Sequence, residues 1–180
     1  MEIRVEVPDD DEAVLEVQRR AFGASGDRVA GLVLALRETD PARLGLVAEE
    51  TGRVVGHVMF TRTLLDAPRR LVVVPTLSPL AVAPEYQRRG IGAALVRHGV
   101  DLLDRRGTPL VWLEGNPAYY GRFGFKAGAD HGFRKPSLRI PDAGFQVRTL
   151  SAYEPWMTGT LVYPPAFWEN DCVGLRDPDA

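Results

Sequence analysis

The apolar and polar positions along the chain follow two periods, two and three-to-four residues. Ile3, Val5 and Val7 alternate with Arg4 and Glu6 as in a half-buried strand. The acid-rich Pro8-Asp9-Asp10-Asp11 then suits a helix start, predicting a first helix over 11–21. Val29, Leu32, Val33 and Leu36 recur at helical spacing, with Asp27 as a candidate cap, and Phe22-Gly23-Ala24-Ser25-Gly26 reads as a mobile connector between the two helices. Strands are predicted over 44–50, 53–65 and 70–82, turning at Thr51-Gly52 and Ala67-Pro68 as an antiparallel meander. A helix over 90–105, a strand over 110–113, a short helix over 117–123 and strands over 145–150 and 157–162 complete the order βααβββαβαββ. The strand-helix-strand passage in the middle requires a parallel pair. The predicted class is therefore α+β, a mixed, mostly antiparallel central sheet flanked by helices.

Composition narrows the function classes. At 45% hydrophobic and 26% charged over 180 residues, with no repeat and no long linker, the chain reads as a single domain over 1–180. It contains no apolar run of the length that spans a membrane, and its opening Met1-Glu2-Ile3-Arg4 is unlike a secretory leader. The expected address is the cytoplasm, with no membrane partner. A net charge of -2 and a pI near 5.9 argue against a nucleic-acid partner. Cys172 is the single cysteine, and His57, His98 and His131 have no ligand-like spacing, so no metal is expected.

The chemistry is concentrated around Leu80-Ala81-Val82-Ala83-Pro84-Glu85-Tyr86-Gln87-Arg88-Arg89-Gly90-Ile91-Gly92-Ala93, a strand that turns into the long helix. No Ser, Thr, Asp or Asn stands between Gln87 and Ile91 to cap the free N–H groups, and Arg88 and Arg89 bring like charge to the positive end of the helix dipole. Both faults vanish if a phosphate or pyrophosphate sits there, with Gly90 and Gly92 letting it reach the backbone. Neither a Rossmann fingerprint nor a P-loop fits, because position 95 is Leu95 and no Gly-Lys-Ser/Thr follows. Ile91, Leu95, Gly99, Leu102 and Leu103 form the stripe expected to pack on the sheet.

Gln87-Arg88-Arg89-Gly90-Ile91-Gly92 resembles the (Arg/Gln)-x-x-Gly-x-(Gly/Ala) signature of the GNAT superfamily of N-acetyltransferases. Tyr120-Gly121-Arg122-Phe123-Gly124-Phe125 resembles its Tyr-x-x-x-Gly-Phe element. The predicted element order is also that of the GNAT fold. The resemblance implies acetyl-CoA as acetyl donor, with the N–H groups of Arg88, Arg89, Gly90, Ile91, Gly92 and Ala93 on its pyrophosphate. It also implies that the backbone of Leu80, Ala81 and Val82 pairs with the pantetheine arm, that Tyr120 is the acid that protonates the departing thiolate, and that Asn116 is a pantetheine contact. In the commoner family wording that asparagine lies seven residues before the tyrosine; here it lies four before.

A phenol can donate to a thiolate as charge develops on sulfur. An amine acceptor must also lose a proton, for which Glu114, at the end of its strand, is the candidate base, with a water relay as the alternative. The acceptor is expected to be a primary amine of a small molecule or peptide. Its pocket would draw on the 22–27 connector, on His57 and Phe60, and on the aromatic and proline-rich part 151–180, which packs on or closes the acceptor side. The protein would work as a monomer or homodimer. The competing reading is a non-catalytic acyl-CoA sensor or regulatory module, which could keep Arg88 to Ala93 and dispense with Tyr120.

Overall fold

The computed structural model describes residues 1–176. Residues 177–180, the end of the predicted 151–180 region, lie outside the described residues. Elements follow the sequence closely: β1 (Glu2–Val5), α1 (Asp11–Phe22), α2 (Gly26–Thr39), β2 (Leu44–Glu50), β3 (Arg53–Asp66), β4 (Leu71–Val82), α3 (Ile91–Arg105), β5 (Leu110–Glu114) and α4 (Pro117–Tyr120). Two short strands that the sequence did not announce come next, β6 (Lys126–Ala127) and β7 (Phe133–Arg134), then β8 (Phe145–Thr149), β9 (Gly159–Val162) and a fifth helix, α5 (Pro165–Glu169). The chain divides into two compact units. The first is Met1–Thr61 with Leu77–Leu103; the second is Arg62–Thr76 with the described residues from Asp104 on.

In the first unit, β1, β2 and β3 pair antiparallel, Val47 lying opposite both Arg4 and His57, and β4 continues beside β3. The acid-rich start of α1 is fixed by Asp10, whose carboxylate takes the Val7 N–H at 2.8 Å and the Arg4 guanidinium at 2.7 Å. The expected mobile connector is instead one 3-10 turn, Gly23–Ser25, with Gly23 at φ +53°. A Cβ on Gly26 would come within 2.3 Å of the Arg19 carbonyl oxygen, so the close turn of α2 against α1 depends on that glycine. Asp27 is not the cap: it lies inside the first turn of α2, where it pairs with Arg19 at 3.2 Å. Helix α3 buries Ile91, Leu95, Gly99 and Leu103, with Leu102 half-buried. It lies so close to β3 that a Cβ on Gly99 would meet the Phe60 ring at 2.2 Å.

In the second unit, β4 pairs parallel with β5, Thr76 opposite Trp112, which is the predicted parallel pair. β5 pairs antiparallel with β8, and β8 with β6, while β9 joins the end of β3 on one side and β7 on the other. Fully buried Trp112 organises this unit. Its indole N–H donates to the Thr63 hydroxyl at 2.8 Å, its carbonyl accepts from the Thr76 hydroxyl at 3.1 Å, and its ring meets Phe145 edge-on at 6.0 Å.

Candidate active site

The root of the first functional loop is fixed by apolar packing. Ala81 and Ala83 sit in a buried cluster with Val17, against which Val54 and Tyr86 also pack, and the Ala83 N–H donates to the Val55 carbonyl at 2.9 Å. Beside this root, α1 and the start of β3 border a cleft of about 170 Å³ that Arg20 and Glu85 cross as an ion pair at 2.8 Å. One 3-10 turn, Pro84–Tyr86, ends β4, and the Gln87 amide donates back to the Val82 carbonyl at 3.0 Å.

The backbone then enters the left-handed region twice, at Arg88 (φ +59°) and Gly90 (φ +84°). Glycine takes this conformation freely. For an arginine it costs on the order of 1 kcal/mol, the kind of strain that persists where a loop must aim its N–H groups. The first backbone bond of α3 runs from Ala94 N–H to the Gly90 carbonyl at 3.0 Å, so the N–H groups of Ile91, Gly92 and Ala93 lie ahead of the helical ladder. Nothing approaches within 4 Å of where a Gly90 Cβ would stand. A left-handed bend, a helix N-terminus and open space over glycine fit a pyrophosphate.

The two arginines differ. Arg89 pairs with Glu50 at 2.9 Å and lies over the Tyr86 ring at 5.2 Å, whereas among the described residues no carboxylate lies within ion-pair distance of Arg88. The sequence treated them as equivalent, and nothing in the spacing linked Glu50 to Arg89.

The second functional segment, in the other unit, brings Glu114, Asn116 and Tyr120 together. Buried Gln146 donates to the Gly115 carbonyl at 3.0 Å, and Gly115 N–H donates to Gly144 at 2.9 Å, which pins the turn after β5. Asn116 caps α4: its Oδ1 accepts from Ala118 N–H at 2.9 Å, with Pro117 at the first helical position. One acceptor of that side chain is thus engaged locally, and its amide N–H groups are what it can offer a ligand.

The Tyr120 ring leans on Gly115, packs edge-on to Phe125 at 5.9 Å and meets Tyr119 at 4.9 Å. Burial, with the neighbouring Tyr119, pushes its phenol well above the ordinary value, so the group is a neutral O–H donor throughout the working pH range.

Glu114 is mostly buried, and both oxygens are engaged: Oε1 accepts from the Tyr163 hydroxyl at 2.8 Å and Oε2 from the Gly174 N–H at 2.9 Å. Burial raises its pKa above the ordinary carboxylate value, against these two hydrogen bonds and the field of Arg139, which act downward. Sequence reasoning missed Tyr163 as a partner of Glu114, because 49 positions separate them and only the folded chain closes the distance.

His57 and Phe60 do not line an open pocket. Phe60 is 2% exposed beneath Gly99, and His57, 0% exposed, lies between the Gln18 amide at 2.8 Å and the Glu6 carboxylate at 3.1 Å. Burial lowers the pKa of His57, which makes it a neutral link that accepts from Gln18 at Nδ1 and donates to Glu6 at Nε2. Arg37 and Arg43 complete this cluster on Glu6 at 3.2 and 3.1 Å.

A mixed sheet in this element order, an anion-ready helix start after one strand and a neutral phenol after the next define an acyl-CoA-dependent acyltransferase of the GNAT type. The acetyltransferase (GNAT) domain family matches residues 2–128, and the chain belongs to that family. The N-acetyltransferase YjhQ of Escherichia coli strain K12 is 38% identical over 154 residues, 82% of this chain and 83% of its own. YhbS of Escherichia coli, a GNAT family N-acetyltransferase solved in complex with CoA, gives a TM-score of 0.81 at 34% identity, covering 92% of this chain and 91% of that one. A GNAT acetyltransferase of Brucella melitensis in complex with acetyl-CoA gives 0.73 at 32% identity, covering 92% and 97%.

Proposed function

We propose that the chain transfers an acetyl group from acetyl-CoA directly to a primary amine of a small molecule or peptide. The observation that carries this reading is Tyr120, a neutral phenol whose ring is held against Gly115 on the segment that follows β5. A module that only bound acyl-CoA would have use for the Arg88 to Ala93 loop but none for an acid on the segment after β5.

In this mechanism the N–H groups of Arg88, Arg89, Gly90, Ile91, Gly92 and Ala93 hold the pyrophosphate, with the Arg88 guanidinium adding charge. The backbone of Leu80, Ala81 and Val82 pairs with the pantetheine amides, and Asn116 offers its amide N–H groups to the same arm. Glu114 takes the proton that the acceptor ammonium must lose. Its raised pKa brings it nearer the working pH and makes it a stronger base than an exposed carboxylate. The neutral amine nitrogen then bonds to the acetyl carbon, the carbon–sulfur bond breaks, Tyr120 donates its proton to the sulfur that leaves, and the second proton on the new amide nitrogen passes to the Tyr120 phenolate, directly or through water. The protein acts as one catalytic domain in the cytoplasm, as a monomer or homodimer, with the aromatic region after residue 151 on the acceptor side.

The test is thiol release from acetyl-CoA against a panel of polyamines, amino acids, aminoglycosides and peptide N-termini, run beside calorimetric titration of CoA. Release with one acceptor class, and a kcat at least tenfold lower in Tyr120→Phe at unchanged acetyl-CoA KM, is the expected result. CoA binding with no release from any amine would move the protein to the sensor class.

A further inference from the structure

Beyond β9 the chain makes a turn that is built around one carboxylate. Tyr163 follows β9 directly and is 5% exposed, its ring stacked on Phe167 at 4.2 Å and 20° and tilted against Trp112 at 4.5 Å. Its hydroxyl donates to Oε1 of Glu114 at 2.8 Å, with the Thr76 side chain also hydrogen-bonded to the phenol. The chain then runs through α5, turns at Cys172, whose N–H donates to the Phe167 carbonyl at 2.8 Å, and buries Val173 completely. Next, Gly174 delivers its N–H to Oε2 of the same Glu114 at 2.9 Å.

Gly174 can do this because it sits at φ +59° with its backbone against Arg139. A Cβ there would stand 2.7 Å from the Arg139 carbonyl carbon. The Arg139 guanidinium in turn donates to the Val173 carbonyl, and Leu175 N–H donates to the Arg139 carbonyl at 3.1 Å. One segment, 163–174, therefore grips both oxygens of Glu114, one through a side chain and one through the backbone.

We infer that Tyr163 is a positioning residue for acyl transfer: by donating to Oε1 while Gly174 holds Oε2, it fixes the plane of the Glu114 carboxylate and leaves its remaining lone pairs as those offered to the acceptor. The inference rests on the reading of Glu114 as the base. Two neutral donors suit that role better than a guanidinium would. They favour the ionised form enough to hold its geometry but do not cancel its charge, so the carboxylate stays basic. Of the groups that act on Glu114, Tyr163 and the Gly174 N–H touch it, while Arg139 acts through its field; Thr76 and Cys172 act on Tyr163. The outcome is a carboxylate whose orientation is held by residues 163–174.

Tyr163→Phe keeps the ring on Phe167 and Trp112 and removes only the hydroxyl. A lost donor to the ionised form should raise the Glu114 titration midpoint by about one pH unit, read as the side-chain carboxyl ¹³C shift of Glu-labelled protein and assigned with Glu114→Gln. With the acceptor found in the thiol-release panel, the acidic limb of kcat should move up by the same amount, kcat should fall by about tenfold, and the acetyl-CoA KM should stay within twofold.

Phe167→Leu, which weakens the stack but keeps the hydroxyl, should leave the limb in place, whereas a merely structural role would make the two variants alike. If Glu114→Gln keeps the wild-type rate and limb, the base reading fails. If Glu114→Gln abolishes the limb but Tyr163→Phe moves neither the ¹³C midpoint nor the limb, the inference about Tyr163 is overturned.

Discussion

Gly115→Ala is the sharpest test of Tyr120, because it removes no reactive group and only moves one of them. A Cβ at position 115 would stand 2.4 Å from Cε2 and 2.7 Å from Cδ2 of Tyr120, where ordinary contact begins at 3.4 Å, so the ring must withdraw by about 1 Å. Gly115 is not at a positive φ, so the new methyl strains the ring contact rather than the backbone. The ring is only half-buried and can yield outward, which keeps the stability cost to about 1–3 kcal/mol.

A donor displaced by about 1 Å from its productive position loses on the order of 100-fold in rate. The expected result in the thiol-release assay is thus a kcat lowered by about 100-fold, with CoA affinity by calorimetry within threefold of the parent. The same change in a Tyr120→Phe background should cost less than about threefold, since there is no longer a hydroxyl to misplace. A kcat for Gly115→Ala within twofold of the parent, or an equal loss in both backgrounds, would refute the assignment of Tyr120 as the acid.

Gly99→Ala should destabilise the protein by about 1–2 kcal/mol, the overpacking against Phe60 outweighing the better helix propensity of alanine, seen as a Tm lower by roughly 3–6 °C. Glu6 gives a pH signature. Burial acts to raise its pKa, but the hydrogen bond from His57 and the Arg37 guanidinium outweigh it and lower the value from 4.5 to about 2. A carboxyl depressed in the folded state contributes stability above its unfolded pKa. This contribution, about 3 kcal/mol here, is whole above pH 4.5 and is lost as pH falls towards 2. Glu6→Gln should accordingly be less stable than the parent in denaturant melts at pH 6, the gap narrowing steadily below pH 4.5; a gap independent of pH would remove Glu6 as its source. Glu50→Gln should release Arg89 towards the anion and tighten CoA binding by about threefold at low salt, an effect that weaker or unchanged binding in calorimetry would contradict.

Much of this fold was legible because its signals are local. The alternation in β3 and β4, the stripe of α3 and the glycines at 90 and 92 each encode their element within a dozen residues, and the boundaries came out within one or two positions. β6 and β7 were not legible: each spans two residues and exists through pairing, Lys126 with Val147 and Phe133 with Gly159, rather than through its own pattern. Asp27 was misread because Asp near a helix start is a common cap, but the packing of Gly26 on Arg19 begins the helix earlier and leaves Asp27 inside it. His57 looked like a pocket residue on an apolar strand, and the partners that account for it, Glu6 and Gln18, lie 51 and 39 positions away.

The two functional segments handle charge in opposite ways, and the reaction explains why. In the proposed mechanism the Arg88 to Ala93 loop meets a substrate that is already ionised, for which fixed N–H groups and exposed cations suffice, and the left-handed strain at Arg88 is what aiming them would require. The segment after β5 must act on charge that appears only during the transfer. There an exposed phenol or carboxylate would be matched to water rather than to the thioester and the amine. In the proposed mechanism Tyr120 is a neutral O–H donor that can bond to sulfur as charge develops there, and burial of Glu114 makes its carboxylate more basic towards an ammonium. Changes in the first loop should therefore appear in CoA affinity and its salt dependence, and changes around Gly115, Tyr120 and Tyr163 in kcat and its pH profile.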